Sequence, residues 1–218
     1  MAFPRLDKAR QALRSAKPRA TRGNTALEFG LVIIVAVPLL YGTVALGITV
    51  GRSIQAIQVA RDAGHMYGQG VDFTVSGAQN ILSKLAQGYS LTNSGDSVII
   101  FSKIIKVYDD DCTAANVTPC SNSGSTVFTQ RVTLGNTGLR ASAFGTPPAA
   151  YVGAQGDIAK ADYFKRFELV ASGFDSLLSL GDGDIAYVTE AFFNPSNINF
   201  LSYGFPQATQ GTYVRFIF

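Results

Sequence analysis

One uncharged apolar run, residues 29–50, constrains this chain more than any other part of its 218-residue sequence. As an α-helix rising 1.5 Å per residue, these 22 residues measure about 33 Å, which matches the hydrocarbon thickness of a bilayer. Lipid offers the backbone no hydrogen-bond partner, so a single spanning segment must be helical. The run therefore predicts one transmembrane helix, and Pro38 near its middle predicts a kink.

Charge is distributed unevenly on the two sides of this run. Residues 1–23 carry seven basic side chains and one acidic one, whereas the rest of the chain carries 11 basic and 14 acidic side chains. The positive-inside rule then predicts a cytoplasmic N-terminus and an extracytoplasmic C-terminal part. A cleavable secretory signal has an apolar region of only about 7–15 residues, which makes it the weaker alternative. Because the larger part is mildly acidic, we expect no nucleic-acid partner.

A single carboxylate, Glu28, lies immediately before the run and five residues after Gly23. Inserting a carboxylate into hydrocarbon costs roughly 2.5–3.5 kcal/mol, so Glu28 favours a partner. A solvated glutamate stabilised by the helix dipole is the simpler alternative. The basic stretch, the glycine, the glutamate and the apolar run together resemble the start of a type IV pilin precursor. With the continuation ARDAGHMYGQG, residues 22–70 resemble the TadE-like family, the minor pseudopilins of Tad (Flp-type) pilus systems.

This resemblance implies a precursor that a membrane prepilin peptidase cleaves after Gly23, so that Asn24 becomes the new N-terminus. In such families the glutamate at the position of Glu28 is thought to meet the N-terminal amine of a neighbouring subunit. The implied partners are the peptidase, other pilin subunits packed helix against helix, the inner-membrane pilus assembly machinery and the lipid bilayer. The implied location is a single pass through the inner membrane, with incorporation into a pilus that serves surface adhesion.

Two departures from the small major pilins favour a minor component of the pilus. Phe29 follows Glu28 where those pilins tend to have tyrosine, and this chain is far longer than they are. A pseudopilin of a type II secretion system is a second hypothesis, because such proteins have the same kind of leader but different partners. A permanently membrane-anchored extracytoplasmic binding domain is a third, and it predicts no cleavage at Gly23.

The sequence divides into a basic leader at residues 1–23, a long helix at 24–70 and an extracytoplasmic domain at 71–218. Beyond the membrane, apolar residues at three- and four-residue steps predict a stripe on the helix that packs on its own domain or on a neighbouring subunit. The members of this predicted stripe are Ile54, Ile57, Ala60, Gly64 and Tyr67.

The extracytoplasmic part combines helical and strand patterns. Helical spacing predicts a helix near residues 76–88 and a short one near 159–167. Runs rich in β-branched residues predict four strands, at residues 97–108, 125–135, 184–193 and 212–218. The expected fold is therefore α+β, a small antiparallel sheet following a long N-terminal helix as in pilins. An aromatic, turn-rich stretch at residues 192–207 is expected to be buried in this domain.

The two cysteines, Cys112 and Cys120, lie between the first two predicted strands. We expect these strands to form a hairpin with the cysteines near its tip. In an oxidising compartment a disulfide there would contribute about 2–3 kcal/mol, although two free thiols are the alternative. Two cysteines and one histidine, His65, fall short of a zinc site, which needs about four ligands.

Motifs for enzyme chemistry are missing from the sequence. It contains no phosphate-binding glycine motif and no GxSxG elbow, and one histidine makes a nucleophilic triad improbable. We therefore expect a protein that is not an enzyme and needs no cofactor. The carboxylates of Asp109–Asp111 and of Asp182 and Asp184 leave calcium binding open, although neither run has the full spacing of a calcium loop.

Overall fold

The computed structural model describes residues 22–194 and 211–218, with side chains from Thr25 onward. Its first element is a helix of 47 residues, α1, at Arg22–Gly68. The helix is continuous through Pro38, and the kink expected there stays a prediction. The aromatic stretch expected to be buried lies largely outside the described residues.

The chain divides into two compact units between Gly47 and Ile48. In the first unit, the described residues form the apolar part of α1, whose large side chains are exposed all around the helix. By length and composition, the helix at Thr25–Gly68 is apolar enough to cross a membrane, with a mean hydropathy of 2.5 over its most apolar 18 residues. It could be a membrane span or a signal anchor.

The second unit contains a four-stranded sheet. Its strands are β1 at Ser97–Lys106, β2 at Thr126–Gly135, β3 at Ile185–Phe193 and β4 at Thr212–Ile217. Their order is β2-β1-β3-β4, and every neighbouring pair is antiparallel. The α+β class, the four predicted strands and the β1–β2 hairpin are therefore confirmed.

The remaining helices are short. They are α2 at Ser76–Leu85, α3 at Asp109–Ala114 and α4 at Lys160–Tyr163, with 3₁₀ turns at Ala149–Tyr151 and Phe167–Leu169. The hairpin connection thus contains a helix, α3, instead of a simple loop. The helix predicted near residues 159–167 is only one turn long, and a 3₁₀ turn follows it.

One face of the sheet packs against the last part of α1. Small side chains at Ala56, Ala60 and Ala63 are fully buried there and let the helix approach the sheet closely. The sheet contributes Ile99 and Phe101 of β1 to this cluster.

Of the predicted stripe on α1, Ala60, Gly64 and Tyr67 are buried, whereas Ile54 and Ile57 are exposed. Packing of these two isoleucines on a neighbouring subunit stays a prediction. Ile54 lies on the opposite side of the helix from Ala56 and Ala63, and Ile57 lies beside Ala60 at a spacing of three residues.

The other face of the sheet is covered by the chain between β2 and β3. Side chains alternate along a strand, so Val188 of β3 points to this second face while its neighbour Tyr187 points to the first. Phe144 and Phe174 from the covering chain meet edge to face with ring centroids 5.3 Å apart. In the described residues, this second core is covered mainly by loops, to which the short helix α3 adds Cys112, and such loops need polar anchors.

Candidate functional site

The predicted processing site lies at the start of α1. Gly23 and Asn24 belong to the first turn of the helix, and Glu28 follows about one turn later with an exposed side chain. Its apolar neighbours Leu27 and Phe29 are also exposed. Cleavage after Gly23 and the role of Glu28 in assembly stay predictions.

The two cysteines are at disulfide distance, as expected. Cys112 in α3 and Cys120 in the following turn pair across eight residues, with their Cα atoms 5.8 Å apart. The link joins α3 to the chain that leads into β2. Cys112 is buried in the second core, so the pair also attaches the hairpin connection to the body of the domain.

The two acidic runs are brought near each other, because the Tyr108 hydroxyl donates a 3.1 Å hydrogen bond to the Leu180 carbonyl. Within each run a carboxylate is already used locally. Asp111 accepts the Tyr108 N–H at 2.9 Å and caps α3, and Asp184 accepts the Gly181 N–H at 2.8 Å in a turn. In the part of the chain that the structure describes, no group of three or more His, Cys, Asp or Glu residues could hold a metal ion.

His65, the single histidine, is exposed on α1. Its ring centroid lies 4.5 Å from that of Phe218, which closes over the neighbouring Gly64. This contact is one of packing, and it brings no second catalytic group to the imidazole.

The sequence did not single out Glu190, which is the most deeply buried carboxylate of the described chain at 1 % exposed. It lies in β3, opposite Ile100 of β1 and Arg215 of β4. Its Oε1 accepts the Ala143 N–H at 2.9 Å and the Tyr213 hydroxyl at 2.5 Å. Its Oε2 accepts the Ser142 hydroxyl. Three donors from two remote segments therefore converge on one carboxylate.

Three arginines contact residues near this carboxylate. Arg131 of β2 is only 7 % exposed and donates to the Gly145 carbonyl at 2.7 Å. Burial lowers the pKa of Arg131 to about 10, while the nearby charge of Glu190 acts to raise it. The guanidinium of Arg140 lies 4.0 Å from the Tyr213 ring centroid, and that of Arg215 lies 5.0 Å from the Phe144 ring centroid.

The Glu190 cluster fastens loop 139–145 and the strand β4 to the second face of the sheet. The donors that its oxygens accept all come from the chain itself. Burial raises the pKa of Tyr213 to about 12, and the hydrogen bond to Glu190 adds to this effect. The sequence contains one indication of this buried carboxylate. Glu190 lies midway between Val188 and Phe192, two apolar residues on the same face of the strand.

Comparisons of this chain with protein-family models, with curated proteins and with solved structures gave no match. Its function therefore has to be inferred from its own residues.

Proposed function

We propose that this protein is a minor pseudopilin, a structural and assembly component of a Tad-type pilus that serves surface adhesion. The observation that carries the proposal is the start of α1. A long helix with an exposed apolar surface begins at a basic, glycine-ended stretch and has Glu28 at its apolar boundary. That combination is what a prepilin peptidase and a helical pilus bundle would both require.

The proposed mechanism is mechanical. The apolar part of α1 resides in the inner membrane, and the second unit lies outside it. During assembly, packing of the helix against neighbouring helices replaces its contact with lipid, and small residues such as Gly42 and Gly47 permit close approach. A Cβ atom added at either glycine would have nothing within 4 Å of it, so the space beside these positions is open to a partner helix.

Glu28 would select the register of the subunit in this bundle. Cleavage after Gly23 would create an amine at Asn24, and the carboxylate of Glu28 would pair with the amine of a neighbour. A buried ion pair costs far less than either charge alone in hydrocarbon, so a misplaced subunit would be rejected. The disulfide-distance pair Cys112–Cys120 supports the extracytoplasmic location, since disulfides persist in oxidising compartments.

The test is a pair of Glu→Ala variants expressed with the pilus machinery. Glu28→Ala should leave cleavage intact and reduce incorporation into sheared pili at least tenfold. Glu168→Ala is the matched control, since Glu168 is exposed on the second unit away from the helix. Normal incorporation of Glu28→Ala would refute the pairing mechanism. Equal loss in both variants would show a general effect on the subunit.

A further inference from the structure

β4 forms one edge of the sheet, with β3 as its neighbour. The paired backbone hydrogen bonds between Tyr187 and Phe218 fix which groups of the strand face β3. Backbone groups alternate in direction along an antiparallel strand, so the N–H and C=O groups of Tyr213, Arg215 and Ile217 point away from the sheet. Within the part of the chain that the structure describes, these six groups have no hydrogen-bond partner.

The opposite edge of the sheet, β2, is partly protected by the chain itself. The Arg131 N–H donates to the Gly156 carbonyl at 2.7 Å, and the Ile158 N–H donates to the Thr129 carbonyl at 2.9 Å. Edge strands are commonly protected from further pairing by proline, lysine or a bulge. β4 contains neither proline nor lysine, and its register with β3 is continuous. This edge is therefore suited to receive a further strand.

The last part of α1 runs along β4 on the first face of the sheet. At the start of β4, Ser53 Oγ lies 3.5 Å from Thr212 Oγ1. Just after the end of β4, Gly64 lies so close to Phe218 that an added Cβ atom would collide with the ring. Eleven residues make about three helical turns, so Ser53 and Gly64 lie on one line along the helix.

This line separates buried side chains of α1 from exposed ones. Ala56 and Ala60, which are buried in one cluster with residues of β1 and β3, lie on one side of it. Ile57 and Ile54 lie on the other side, about 40° and 100° around the helix from Ser53. They are 42 % and 51 % exposed. These two isoleucines therefore border the space beyond β4 on the first face, where side chains of an added strand would pack.

On the second face, the side chains beside this edge are basic. Arg215 of β4 lies with its guanidinium 5.0 Å from the Phe144 ring centroid. Arg140 is exposed, and its guanidinium lies 4.0 Å from the Tyr213 ring centroid. The carboxyl group of Glu190 already accepts hydrogen bonds from the chain itself. A carboxylate on an added strand opposite Arg215 would gain a favourable cross-strand pair.

A second copy of β4 fits this edge less well than a strand of different sequence. Antiparallel pairing of two β4 strands that matches all three outward residues would place Arg215 opposite the same residue of the other copy. Like charges directly opposite each other destabilise a strand pair. The charge of the edge therefore favours an acidic strand over a second copy.

We propose that the open edge of β4 binds an extended strand of another protein, with apolar side chains on Ile54 and Ile57 and a carboxylate opposite Arg215. Such a strand has apolar and acidic residues at alternate positions. Its backbone would supply hydrogen bonds to the six open groups, and its alternating side chains would supply specificity. The edge could receive this partner in a pilus or outside one, so the proposed function is not required.

The experiment titrates a fluorescent synthetic peptide of alternating valine and glutamate with the full chain in detergent micelles and follows the anisotropy. In the proposed pairing the glutamates lie opposite the outward residues of β4, so their N–H groups point at β4. N-methylation of the glutamates removes these hydrogen bonds. N-methylation of the valines is the matched control, because their N–H groups point away. A peptide with lysine in place of glutamate tests the charge.

We expect the acidic peptide to bind about tenfold more tightly than the lysine peptide. Methylation of the glutamates should weaken binding by about tenfold or more, and methylation of the valines should leave it within about threefold. Ile54→Ser and Ile57→Ser should each weaken binding by about threefold or more. Ile81→Ser is the control, at an isoleucine 52 % exposed on α2, and should not change the affinity.

Equal affinity for the two methylated peptides, or no binding of the acidic peptide, would overturn the pairing at β4. Equal affinity for the acidic and the lysine peptides would overturn the acidic partner. Hydrogen exchange of the chain without peptide, measured by NMR, is an independent test. The Arg215 N–H should exchange about tenfold faster than the Val214 N–H, which faces β3. Equally slow exchange would overturn the proposal, because this chain or a second copy would then already cover the edge.

Discussion

Glu190 places a carboxyl group in a position that almost no water reaches. Its two oxygens accept hydrogen bonds from Ser142, Ala143 and Tyr213. Arg131 is near enough for its pKa to be raised by the electrostatic interaction with Glu190. Removing one partner of a buried charged network leaves the others unpaired, which costs more than the network itself contributes. The second face of the sheet should therefore be sensitive to substitution at Glu190.

Substitution of Glu190 should therefore destabilise the second unit strongly. We expect Glu190→Ala to lower the free energy of unfolding by about 3–5 kcal/mol, and Glu190→Gln by about 1–3 kcal/mol because the amide still accepts some of the bonds. Urea unfolding in detergent micelles, followed by circular dichroism, measures both. Glu168→Ala, at an exposed site, should stay within about 0.5 kcal/mol of the parent. A Glu190→Ala variant as stable as this control would contradict the anchoring role.

The hydroxyl of Tyr213 should make part of this stability pH-dependent. Its pKa is raised in the folded protein to about 12, so its contribution is complete below the unfolded value of about 10 and is lost as pH rises through 12. The parent should exceed Tyr213→Phe in unfolding free energy by about 1–2 kcal/mol at pH 9. That advantage should shrink steadily toward pH 12. An advantage that does not change over this range would show that the folded protein does not raise the pKa of this hydroxyl.

At the scale of elements, the contact between α1 and the sheet depends on a glycine. A Cβ at Gly64 would collide with the Phe218 ring and lie 3.1 Å from Thr189 Oγ1. Phe218 is held in place by paired backbone hydrogen bonds with Tyr187, at 2.9 and 3.0 Å. The helix can lie this close to β3 and to the end of β4 only because the position lacks a side chain.

Two Gly→Ala substitutions on helices should therefore have opposite effects. We expect Gly64→Ala to destabilise the second unit by about 1–3 kcal/mol through overpacking. Gly77→Ala in α2 meets nothing within 4 Å and should stabilise it by about 0.5–1 kcal/mol through the higher helix propensity of alanine. Thermal unfolding of both variants in the same detergent gives the comparison. Equal shifts in one direction would contradict the close packing at Gly64.

The local spacing of apolar and β-branched residues predicted the helices and strands better than it predicted the contacts between them. The β-branched runs located β1 and β3 within two residues, because strand preference is recorded along the chain itself. The stripe predicted on α1 located three residues that are buried against the sheet, Ala60, Gly64 and Tyr67, but it did not include the buried Ala56 and Ala63, because small side chains contribute little to an apolar pattern. The Glu190 cluster could not be predicted, because its donors come from residues 142–143 and 213, which only the folded sheet brings together.

At the scale of the whole molecule, the chain combines an exposed apolar helix with a small sheet domain whose second face is anchored by a buried, hydrogen-bonded carboxyl group. The apolar surface of the first unit is a large cost in water unless lipid or other helices cover it. This requirement is the reason for the two proposed locations of the protein, which are the membrane before assembly and a bundle of similar helices after it. The basic stretch before Asn24 is compatible with the first location and would have to be removed for the second.

The most direct test of this account is the N-terminal sequence of the protein recovered from its native membrane. The account predicts a chain that begins at Asn24, because processing after Gly23 is the step that separates a pilin-like subunit from a permanent anchor. A chain that begins at Met1 or Ala2 would contradict it and would leave a membrane-anchored extracytoplasmic domain as the function to pursue.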